Sequence, residues 1–401
     1  MRVLMISWEF PPHIVGGLGR HVADIIPELA SESYQIQLLT LRGNSPLNVE
    51  HASAHAMVHR VYAPQSAPDI VGQVHDAYEP VLNAAHALWR EVGGFDLIHV
   101  HDWLLADVAI ALKHHYRRPL IATIHAHERG RRRGDIGAPE SRYIDSIEWK
   151  LSYEAWRVIV CSGYMQQRLA QDFSVPLDKL DVIPNGIVVP NFAFTSPAQR
   201  NIFRSRYQPD DGPLVFAVGR LVHEKGWHVL IAAIERLRAT FPSIRLVLAG
   251  VGGYRDELLR VAQSCGVVEQ IALIGFISDE ERNGLYSIAD CAVFPSLYEP
   301  FGIVALEAMA LHCPVVVSDT GGLREVVQPN ITGFLVAPDD VAALAAAIQR
   351  TIIDRAATNL RVEAAFADAS TTYNWQLVAE ATTVIYDRVV AEWRNGTWGH
   401  A

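Results

Sequence analysis

The sequence predicts an α/β protein built from two doubly wound domains. Short apolar runs bounded by turn residues alternate with amphipathic stretches long enough for helices, and this alternation runs through the chain twice. Repeated units of a strand followed by a helix are typical of parallel sheets covered by helices on both faces. Of the 401 residues 50% are hydrophobic and 19% are charged, which is enough apolar material for two cores.

Both series consist of short apolar runs that we expect to be strands. In the first half of the chain these runs are 3–8, 36–41, 97–101, 120–125, 158–161 and 182–184. In the second half they are 214–219, 245–249, 271–274, 291–294, 315–318 and 333–336.

The boundary between the domains is expected in the stretch 190–213, where prolines and acidic residues interrupt the alternation. The expected domains are therefore 1–195 and 210–373. The last segment, 374–395, has one apolar stripe and is expected to be a single long helix.

Composition excludes several classes of function. The formal net charge of −10 argues against general electrostatic binding to nucleic acid or to an anionic membrane. The chain starts with a strand-like run rather than a signal peptide, and no run approaches the roughly 18 apolar residues of a membrane span. The four cysteines are widely spaced and match no zinc or redox motif. We therefore expect a cytoplasmic protein with reduced thiols, for which peripheral membrane contact stays open.

The most informative segment carries two glutamates, Glu299 and Glu307, around a predicted helix start. Pro300 suits the first helical position, because its missing N–H needs no intrahelical partner there, and Glu307 then lies about two turns inside the helix. The N–H groups of 301–304 would face an anion, and Gly302 would let a ligand approach the backbone. Two acids beside an anion-binding helix start suit a ligand with phosphates and hydroxyls, such as a nucleotide sugar.

The simpler interpretation is that Glu299 is only a helix-start acid and Glu307 only a solvated residue. It is weaker for Glu307, because an almost wholly apolar helix makes a lone charge costly unless it is paired or bound to a ligand.

A glycine-rich stretch follows the first predicted strand. Gly16 and Gly17 allow a phosphate to approach the backbone before the next helix begins. An ordinary turn and a dinucleotide site are the alternatives. Val22 stands where the dinucleotide fingerprint needs its third glycine, and the second strand ends at Arg42 without the acid that would hold an NAD ribose. NAD binding is therefore disfavoured.

Two cations lie near the end of the first strand in the second half. Arg220 ends this strand, and Lys225 lies at the start of the next helix. A cation is unfavourable at a helix N-terminus, so Lys225 needs a reason to be there. A bound diphosphate and a solvated loop explain this lysine equally well from the motif alone.

Histidines and acids follow two predicted strands of the first half: His99, His101, Asp102, His125, His127 and Glu128. Their spacing matches no zinc motif, so hydrogen bonding to a polar ligand is favoured over a metal site. The basic run 129–133 is most simply a solvated loop, with the border of an acceptor site as the alternative.

Taken in order, these motifs resemble the retaining GT-B glycosyltransferases of family 4, and the resemblance covers nearly the whole chain. The residues that carry it are Gly16-Gly17, His101-Asp102-Trp103, Thr123-Ile124-His125, Pro184-Asn185-Gly186, Gly219-Arg220 with Lys225-Gly226, the run 286–296, Glu299-Pro300-Phe301-Gly302 with Glu307, Ser318-Asp319-Thr320-Gly321-Gly322 and Asn374-Trp375. Each motif is weak by itself, and the ordered set is specific.

The resemblance implies two Rossmann-like domains with a cleft between them. An acceptor would bind mainly to the first domain and a nucleotide-sugar donor mainly to the second, and the last helix would cross back to the first domain. It implies no metal and no other cofactor.

The resemblance also implies roles for individual residues. The catalytic set would be Glu299, facing the transferred sugar, His125, near its reacting carbon, and Arg220 and Lys225 on the diphosphate. Glu307 would bind the ribose of the nucleotide. The remaining donor contacts would be Gly16, Gly17, Asn185 and the backbone around Gly302, Ile303 and Val304. The acceptor side would include His101, Asp102 and His127.

Within the family, the opening motif and His101-Asp102-Trp103 look most like glycogen-synthase-like α-1,4-glucosyltransferases. Bacterial starch and glycogen synthases have a lysine two residues before the paired glycines, where this chain has Ile14. The expected function is retaining transfer of a hexose, glucose from ADP- or UDP-glucose, to an α-1,4-glucan or related carbohydrate. The alternatives are a family-4 transferase for a lipid-linked or surface-polysaccharide acceptor, a GT-B sugar-nucleotide epimerase, an NAD oxidoreductase and a non-catalytic sugar-nucleotide-binding protein.

Overall fold

A computed structural model of the chain describes residues 1–14, 16–64 and 66–396. The chain divides into two compact units. The first unit consists of Met1–Gly186 together with the segment from Trp375 onward, and the second consists of Ile187–Asn374.

Each unit is built on one sheet. The strands of the first unit are β1 (Arg2–Ser7), β2 (Gln35–Leu41), β3 (Val49–Ser53), β4 (Ala56–Val61), β5 (Leu97–His101), β6 (Leu120–Ile124), β7 (Arg157–Val160) and β8 (Leu180–Val182). Those of the second unit are β9 (Leu214–Val218), β10 (Arg245–Ala249), β11 (Ile271–Gly275), β12 (Cys291–Phe294), β13 (Val315–Ser318) and β14 (Phe334–Val336).

Helices lie between most successive strands, as parallel pairing requires, and the last three helices follow β14. They are α1 (Gly17–Leu29), α2 (Ile70–Val92), α3 (Ala106–Tyr116), α4 (Glu128–Arg131), α5 (Pro139–Glu154), α6 (Gly163–Phe173), α7 (Pro197–Tyr207), α8 (Trp227–Leu237), α9 (Arg255–Ser264), α10 (Asp279–Ile288), α11 (Ile303–Ala310), α12 (Leu323–Val326), α13 (Val341–Ile353), α14 (Arg355–Thr372) and α15 (Trp375–Asn395).

The strand order places the functional loops. It is β3-β4-β2-β1-β5-β6-β7-β8 in the first sheet and β11-β10-β9-β12-β13-β14 in the second. Neighbouring strands are parallel, except that β3 pairs antiparallel with β4. In each sheet the chain adds strands first on one side of the initial strand and then on the other. This reversal lies between β1 and β5 in the first sheet and between β9 and β12 in the second. Ligands of such sheets bind outside the carboxyl ends of the strands at this point.

The predicted α/β class is confirmed, and each predicted strand overlaps an observed one. The largest shift is at β8, which ends at Val182, where the sequence predicts the strand to begin. β3 and β4 are not among the predicted strands. β4 alternates buried with half-buried residues, and β3 has no fully buried residue, so neither reads as an apolar run.

Helix α7 occupies much of the stretch in which the sequence predicts the domain boundary. Ser196 caps this helix, its Oγ accepting the N–H of Gln199 at 3.2 Å. Arg204 on α7 pairs with Asp290 at 2.8 Å, so the helix packs on the second unit. The two units therefore meet in sequence at Gly186 and Ile187, and the stretch after 195 is structured rather than a linker.

The last helix, α15, packs on the first unit through its apolar stripe. Tyr386 is fully buried on α15, and its hydroxyl lies 2.6 Å from Nδ1 of His99 on β5. Arg388 on the same helix pairs with Asp181 of β8 at 2.9 Å. These contacts tie the C-terminal helix to the sheet that carries the histidines described below.

Each unit has its own apolar core. In the first unit, buried residues of β1, β2 and α1 pack with the stripe of α15. In the second unit, β9 and β10 pack with α8 and α13. Within the residues that the structure describes, no helix combines the length and the hydropathy of a membrane span.

Candidate active site

The helix that follows β12 begins later than the sequence predicts. α11 starts at Ile303, and Gly302 precedes it with a left-handed backbone (φ 113°, ψ 46°). A larger residue at position 302 would be held in an unfavourable backbone conformation, and its Cβ would lie 2.6 Å from Leu323 Cδ2, so that side chain would have to shift. The prediction of Pro300 as the first helical residue is wrong, because the chain turns into the helix only at Gly302. Glu307 consequently lies little more than one turn inside α11.

The N-terminus of α11 is the structural basis of the predicted anion site. Its first N–H groups, those of Ile303 and Val304, have no acceptor within the helix. The N–H of Ala305 is already bonded to the carbonyl of Gly302 at 3.0 Å. This helix start lies beyond the carboxyl end of β12, where the strand order reverses, and so favours an anion at the expected ligand position.

Lys225 and Glu299 form an ion pair beside this helix start. The Lys225 ammonium donates to Oε2 of Glu299 at 2.6 Å, and both side chains are largely buried. Ser296 Oγ donates to the same carboxylate oxygen at 3.1 Å. Lys225 follows β9 and Glu299 follows β12, the two strands at the reversal point. The sequence predicted that each is a ligand contact, and the structure adds that they bind each other.

Backbone contacts hold the two loops together. The N–H of Leu297 donates to the carbonyl of Glu224 at 2.8 Å. Gly226 has a left-handed backbone (φ 68°), and a Cβ there would collide with the carbonyl oxygen of Pro295. Lys225 ends a short 3-10 turn and Gly226 directly precedes α8, so Lys225 lies just before that helix rather than in its first turn.

Arg220 is the more exposed of the two predicted diphosphate cations. Its side chain is 45% exposed, and its guanidinium lies 3.5 Å from the carboxylate of Glu224. The carbonyl of Arg220 accepts the indole N–H of Trp227 at 2.9 Å, which fixes the backbone at the end of β9. The backbone of Arg220 is therefore fixed, whereas, among the described residues, its guanidinium is held only by the long contact with Glu224.

Glu307 has a protein partner that the sequence analysis missed. Arg282 on α10 lies 3.4 Å from its carboxylate, and Glu307 is 7% exposed. The buried hydroxyl of Tyr286 donates to the carbonyl of Val304 at 3.2 Å, which joins α10 to the start of α11. Burial, and then the charge of Glu307, raise the pKa of Tyr286. The cost of burying Glu307 is thus offset by Arg282 without a ligand.

In the first unit, the predicted glycine loop leads into α1. Gly16 precedes this helix with an extended backbone, and a side chain at that position would meet open space. The N–H of Gly16 donates to Oε2 of Glu9 at 3.1 Å, and Glu9 is 8% exposed. Glu9 was not predicted as a site residue. Its carboxylate already faces the start of α1, where the sequence places an incoming phosphate near Gly16 and Gly17.

Histidines form a cluster beyond β5 and β6. Nδ1 of His101 lies 3.2 Å from Nε2 of His125, and their rings are nearly parallel. The ring of His21 on α1 packs edge-on against His125, with 4.6 Å between centroids. Nδ1 of His21 donates to Oδ1 of Asn185 at 2.7 Å, which leaves Nε2 of His21 as the acceptor. The structure therefore brings together two predicted residues, His101 and His125, with Asn185 and the unpredicted His21.

These histidines are neutral at pH 7. Burial lowers the pKa of His21, of His99 and of His125 to about 3, and the neighbouring rings contribute for His21 and His99. The pKa of His101 is lowered well below its ordinary value for the same reasons. A neutral imidazole donates one hydrogen bond and accepts another, which suits contact with sugar hydroxyls.

Asp102 fixes the loop that carries His125. Its carboxylate accepts the N–H of His125 at 2.7 Å, and its own N–H donates to the carbonyl of Thr123 at 2.9 Å. Asp102 has a left-handed backbone (φ 56°), which is uncommon outside glycine. Burial raises its pKa to about 6, although Arg131 and the backbone N–H groups oppose the shift. The contacts of Asp102 indicate that it positions His125, whereas the sequence predicted an acceptor contact.

His127 is fully buried and lies 2.7 Å from the carboxylate of Asp172, so its side chain has no surface for the predicted acceptor contact. The other members of the predicted polar cluster also have protein partners. His99 is held between Tyr386 and Thr123, and the Glu128 carboxylate accepts from Ser141 at 2.7 Å.

Among the described residues, one group of three side chains has the spacing of a metal site: His21, His101 and His125. The contact between His101 and His125 is explained by a hydrogen bond, in which one ring donates and the other accepts. Sequence spacing did not reveal His21, because it lies on α1, far along the chain from His101 and His125.

Comparison with known proteins agrees with this arrangement. Residues 15–189 match the model of Glycosyltransferase Family 4, and residues 198–367 match that of Glycosyl transferases group 1. A glycogen synthase of Mycobacterium tuberculosis is 37% identical over 404 residues, which covers 96% of this chain and 94% of the relative.

Two further relatives cover most of the chain. A D-inositol 3-phosphate glycosyltransferase of Xylanimonas cellulosilytica is 28% identical, over 92% of this chain and 91% of the relative. The solved structure of a sucrose-phosphate synthase from Thermosynechococcus elongatus has a TM-score of 0.82 at 26% identity, over 97% and 99% of the two chains. Each sheet reverses its strand order, and charged loops lie at both reversal points. Together with these matches, this shows that the chain belongs to the GT-B glycosyltransferases of family 4.

Proposed function

We propose that this glycosyltransferase moves glucose from a nucleoside-diphosphate glucose to an α-1,4-glucan, with retention of configuration at the anomeric carbon. The observation that carries the donor half of the proposal is the Lys225–Glu299 pair next to the N-terminus of α11. Cation, carboxylate and helix N–H groups together suit a ligand that joins a diphosphate to a sugar. The 37% identical glycogen synthase supports glucose and glucan as the substrates.

The proposed reaction requires stabilisation of a leaving diphosphate. The bond between the anomeric carbon and the phosphate oxygen breaks, and the acceptor hydroxyl oxygen forms the new bond from the same face of the sugar. The departing phosphate oxygen takes the hydroxyl proton. Arg220, Lys225 and the N–H groups of Ile303 and Val304 would stabilise the charge on the diphosphate, as preorganised donors do in other enzymes. No metal or cofactor is part of this proposal.

Arrival of a diphosphate would change the environment of Lys225. Its ammonium now shares one carboxylate oxygen of Glu299 with Ser296. A diphosphate next to Lys225 would compete for that ammonium, and the Glu299 carboxylate would then be available to accept hydrogen bonds from hydroxyls of the transferred sugar. Glu307, held near Arg282, is proposed to bind the nucleotide ribose, which is the role implied for it by the family resemblance.

The neutral state of His125 supports a place close to the reacting sugar. Positive charge develops on the anomeric carbon as the diphosphate departs, and an imidazolium nearby would oppose this charge. With its pKa lowered to about 3, His125 remains uncharged and still forms hydrogen bonds. Asp102 holds its backbone in place at 2.7 Å.

A donor screen tests the proposal. Release of nucleoside diphosphate is measured with ADP-glucose, UDP-glucose and GDP-mannose, each with and without maltooligosaccharide. We expect release from a glucose donor that depends on the oligosaccharide, together with extension of the oligosaccharide by α-1,4 units. Absence of release from both glucose donors in the presence of maltooligosaccharide would overturn the proposed function.

The runner-up is transfer to a small or lipid-linked hydroxylated acceptor, favoured by the 28% identical D-inositol 3-phosphate glycosyltransferase. In the same screen, release of diphosphate that depends on an inositol phosphate or on a lipid extract, but not on glucan, would select it. Conversion of the donor sugar without any transfer product would select the epimerase alternative.

A further inference from the structure

An aromatic pair lies on the outer face of α5. Trp149 and Tyr153 are one helical turn apart, with 5.6 Å between ring centroids and 14° between ring planes. Trp149 is 49% exposed and Tyr153 is 69% exposed. The opposite face of α5 supplies the core through Ile144, Ile147 and Leu151, so the fold does not require the aromatic pair. The two large rings therefore form an exposed aromatic patch on the first unit.

A polar depression adjoins this pair. It has a volume of about 340 Å³, and its walls include Trp156, Asp178, Lys179 and Glu392. Lys179 connects the two features, because its ammonium donates to the carbonyl of Tyr153 at 2.7 Å and lies 6.0 Å from the centre of the Tyr153 ring. The indole N–H of Trp156 donates to Oε2 of Glu392 at 2.7 Å, which holds that carboxylate in the wall.

The chemistry of this surface matches a carbohydrate chain. A pyranose ring presents C–H groups on its faces, and the negative face of an aromatic ring attracts them. The rim of the sugar carries hydroxyls, which need the donors and acceptors that the depression supplies. Aromatic rings can pack against the faces of sugar units, and the neighbouring charged groups can bind their hydroxyls. A chain of several sugar units would use both kinds of contact.

The charges around the pair argue against a lipid surface. Three cations close to α5 are already paired: Lys113 with Glu154 at 2.6 Å, Lys150 with Asp107 at 2.8 Å and Arg157 with Asp181 at 2.7 Å. Two further cations near α5, Arg142 and Lys179, donate to backbone carbonyls rather than to carboxylates. Two such cations are fewer than the roughly four to eight basic residues that recognise anionic headgroups. Two rings that bury roughly 150–250 Å² each also fall short of the ~800 Å² that each partner of a stable protein interface buries.

We propose that Trp149, Tyr153 and the adjoining depression form a second carbohydrate site that anchors a polymeric glucan away from the reaction site. Trp156 and Lys179 directly precede β7 and β8, whereas His101 ends β5 and His125 directly follows β6. In parallel sheets these are opposite edges. An oligosaccharide of two or three units therefore cannot occupy both sites, and only a long or branched chain gains from the anchor. The identity of the polymer rests on the proposed function.

The test compares wild type with the double variant Trp149→Ala/Tyr153→Ala. Retardation in native gels containing glycogen reports binding directly, and the KM for glycogen and for maltotriose reports its effect on transfer. We expect the double variant to lose retardation and to raise the KM for glycogen about tenfold, with the KM for maltotriose unchanged. Tyr62→Ala is the matched control, since Tyr62 is a 72% exposed tyrosine of the same unit.

Each alternative outcome is decisive. Equal retardation of the double variant and wild type would overturn the second site, even where maltotriose transfer confirms the proposed function. Failure of every glucan to serve as acceptor would defeat the proposed function, while gel retardation would still measure the site by itself. A change in molecular mass of the double variant in solution, without a change in glycogen binding, would assign the pair to contact between two copies of the chain.

Discussion

At the residue scale, the pair of Lys225 and Glu299 governs the charge of the candidate donor site. The two side chains are 17% and 10% exposed, so their interaction is screened less than that of a surface pair. As a pair they carry no net charge. A diphosphate bound here would add negative charge next to an ammonium already in place, and Arg220, with its 45% exposed side chain, would supply the second cation.

This arrangement makes Lys225→Ala and Glu299→Gln informative variants. We expect each to lower kcat for diphosphate release by at least about a hundredfold, because each removes charge stabilisation or sugar positioning in the transition state. Glu299→Gln keeps an oxygen that accepts from Ser296, so its circular dichroism spectrum should match wild type. Lys225→Ala leaves Glu299 buried without its cation and should also lower the melting temperature.

Arg255→Ala is the matched control for these variants, because Arg255 is an exposed arginine of the same unit, 4.0 Å from Asp256. It should keep normal turnover. Near-normal rates in both Lys225→Ala and Glu299→Gln would remove the two residues from the catalytic set.

Single residues also show how far sequence reasoning reaches into the site. Arg220 was predicted because it ends a strand, and Lys225 and Glu299 because each is a charged residue at a predicted helix start. Arg282 and His21 were missed, because nothing in their local sequence distinguishes them from other polar residues of a helix. Their roles depend on which helix faces which strand, as the 3.4 Å contact between Arg282 and Glu307 shows.

At the element scale, the N-termini of α1 and α11 differ in what faces them. The start of α1 is met by the carboxylate of Glu9, bonded to the N–H of Gly16 at 3.1 Å. At the start of α11, Gly302 is left-handed and the following N–H groups have no acceptor within the helix. An anion is therefore expected to interact more strongly with the start of α11, since a carboxylate already faces α1.

The backbone at Gly302 gives a prediction about this helix. Gly302→Ala should lower the free energy of unfolding by at least about 1–2 kcal/mol, because alanine resists the left-handed conformation and its Cβ would meet Leu323. Gly253→Ala is the matched control in the same unit, since a Cβ there has no neighbour within 4 Å. Urea unfolding of both variants measures the difference. Equal stabilities would show that the turn into α11 does not depend on Gly302.

Elements differ in how well a single sequence predicts them. Central strands such as β5 and β12 are buried on both faces, so each forms a continuous apolar run that is recognised directly. The edge strand β3 has no fully buried residue, and its only strand partner in the sheet is β4, so its sequence lacks this signal. The predicted start of α11 is wrong because Pro300 favours a first helical turn locally, whereas the left-handed backbone of Gly302 (φ 113°) places the first helical residue at Ile303.

At the scale of the whole molecule, the two units differ in their buried titratable groups. The first unit contains the neutral cluster of His21, His99, His101 and His125. For three of them the folded-state pKa is about 3, against an ordinary value of 6.5. Above pH 6.5 these groups are neutral in both states and the first unit has its full stability with respect to them. As the pH falls from 6.5 toward 3, the unfolded chain binds protons that the folded unit does not, and stability is lost.

Two carboxyl groups of the same unit oppose this trend. Burial raises the pKa of Asp102 to about 6 and raises that of Glu148 well above its ordinary value, so their contributions to stability decrease as the pH rises. The four buried histidines outnumber these two carboxyl groups, so the free energy of unfolding of the first unit decreases on acidification. Each net proton taken up by the unfolded chain is worth about 1.4 kcal/mol per pH unit.

The first unit should therefore be the acid-sensitive part of the protein. Hydrogen exchange followed by mass spectrometry at pH 7.5 and pH 5.5, corrected for the intrinsic exchange rate, resolves the two units in one sample. Protection should fall in β1, β5 and β6 and change less in β9, β10 and β12, because no histidine in the described part of the second unit is fully buried. An equal loss of protection in both sheets would contradict the argument, since it would place the acid sensitivity outside the histidine cluster.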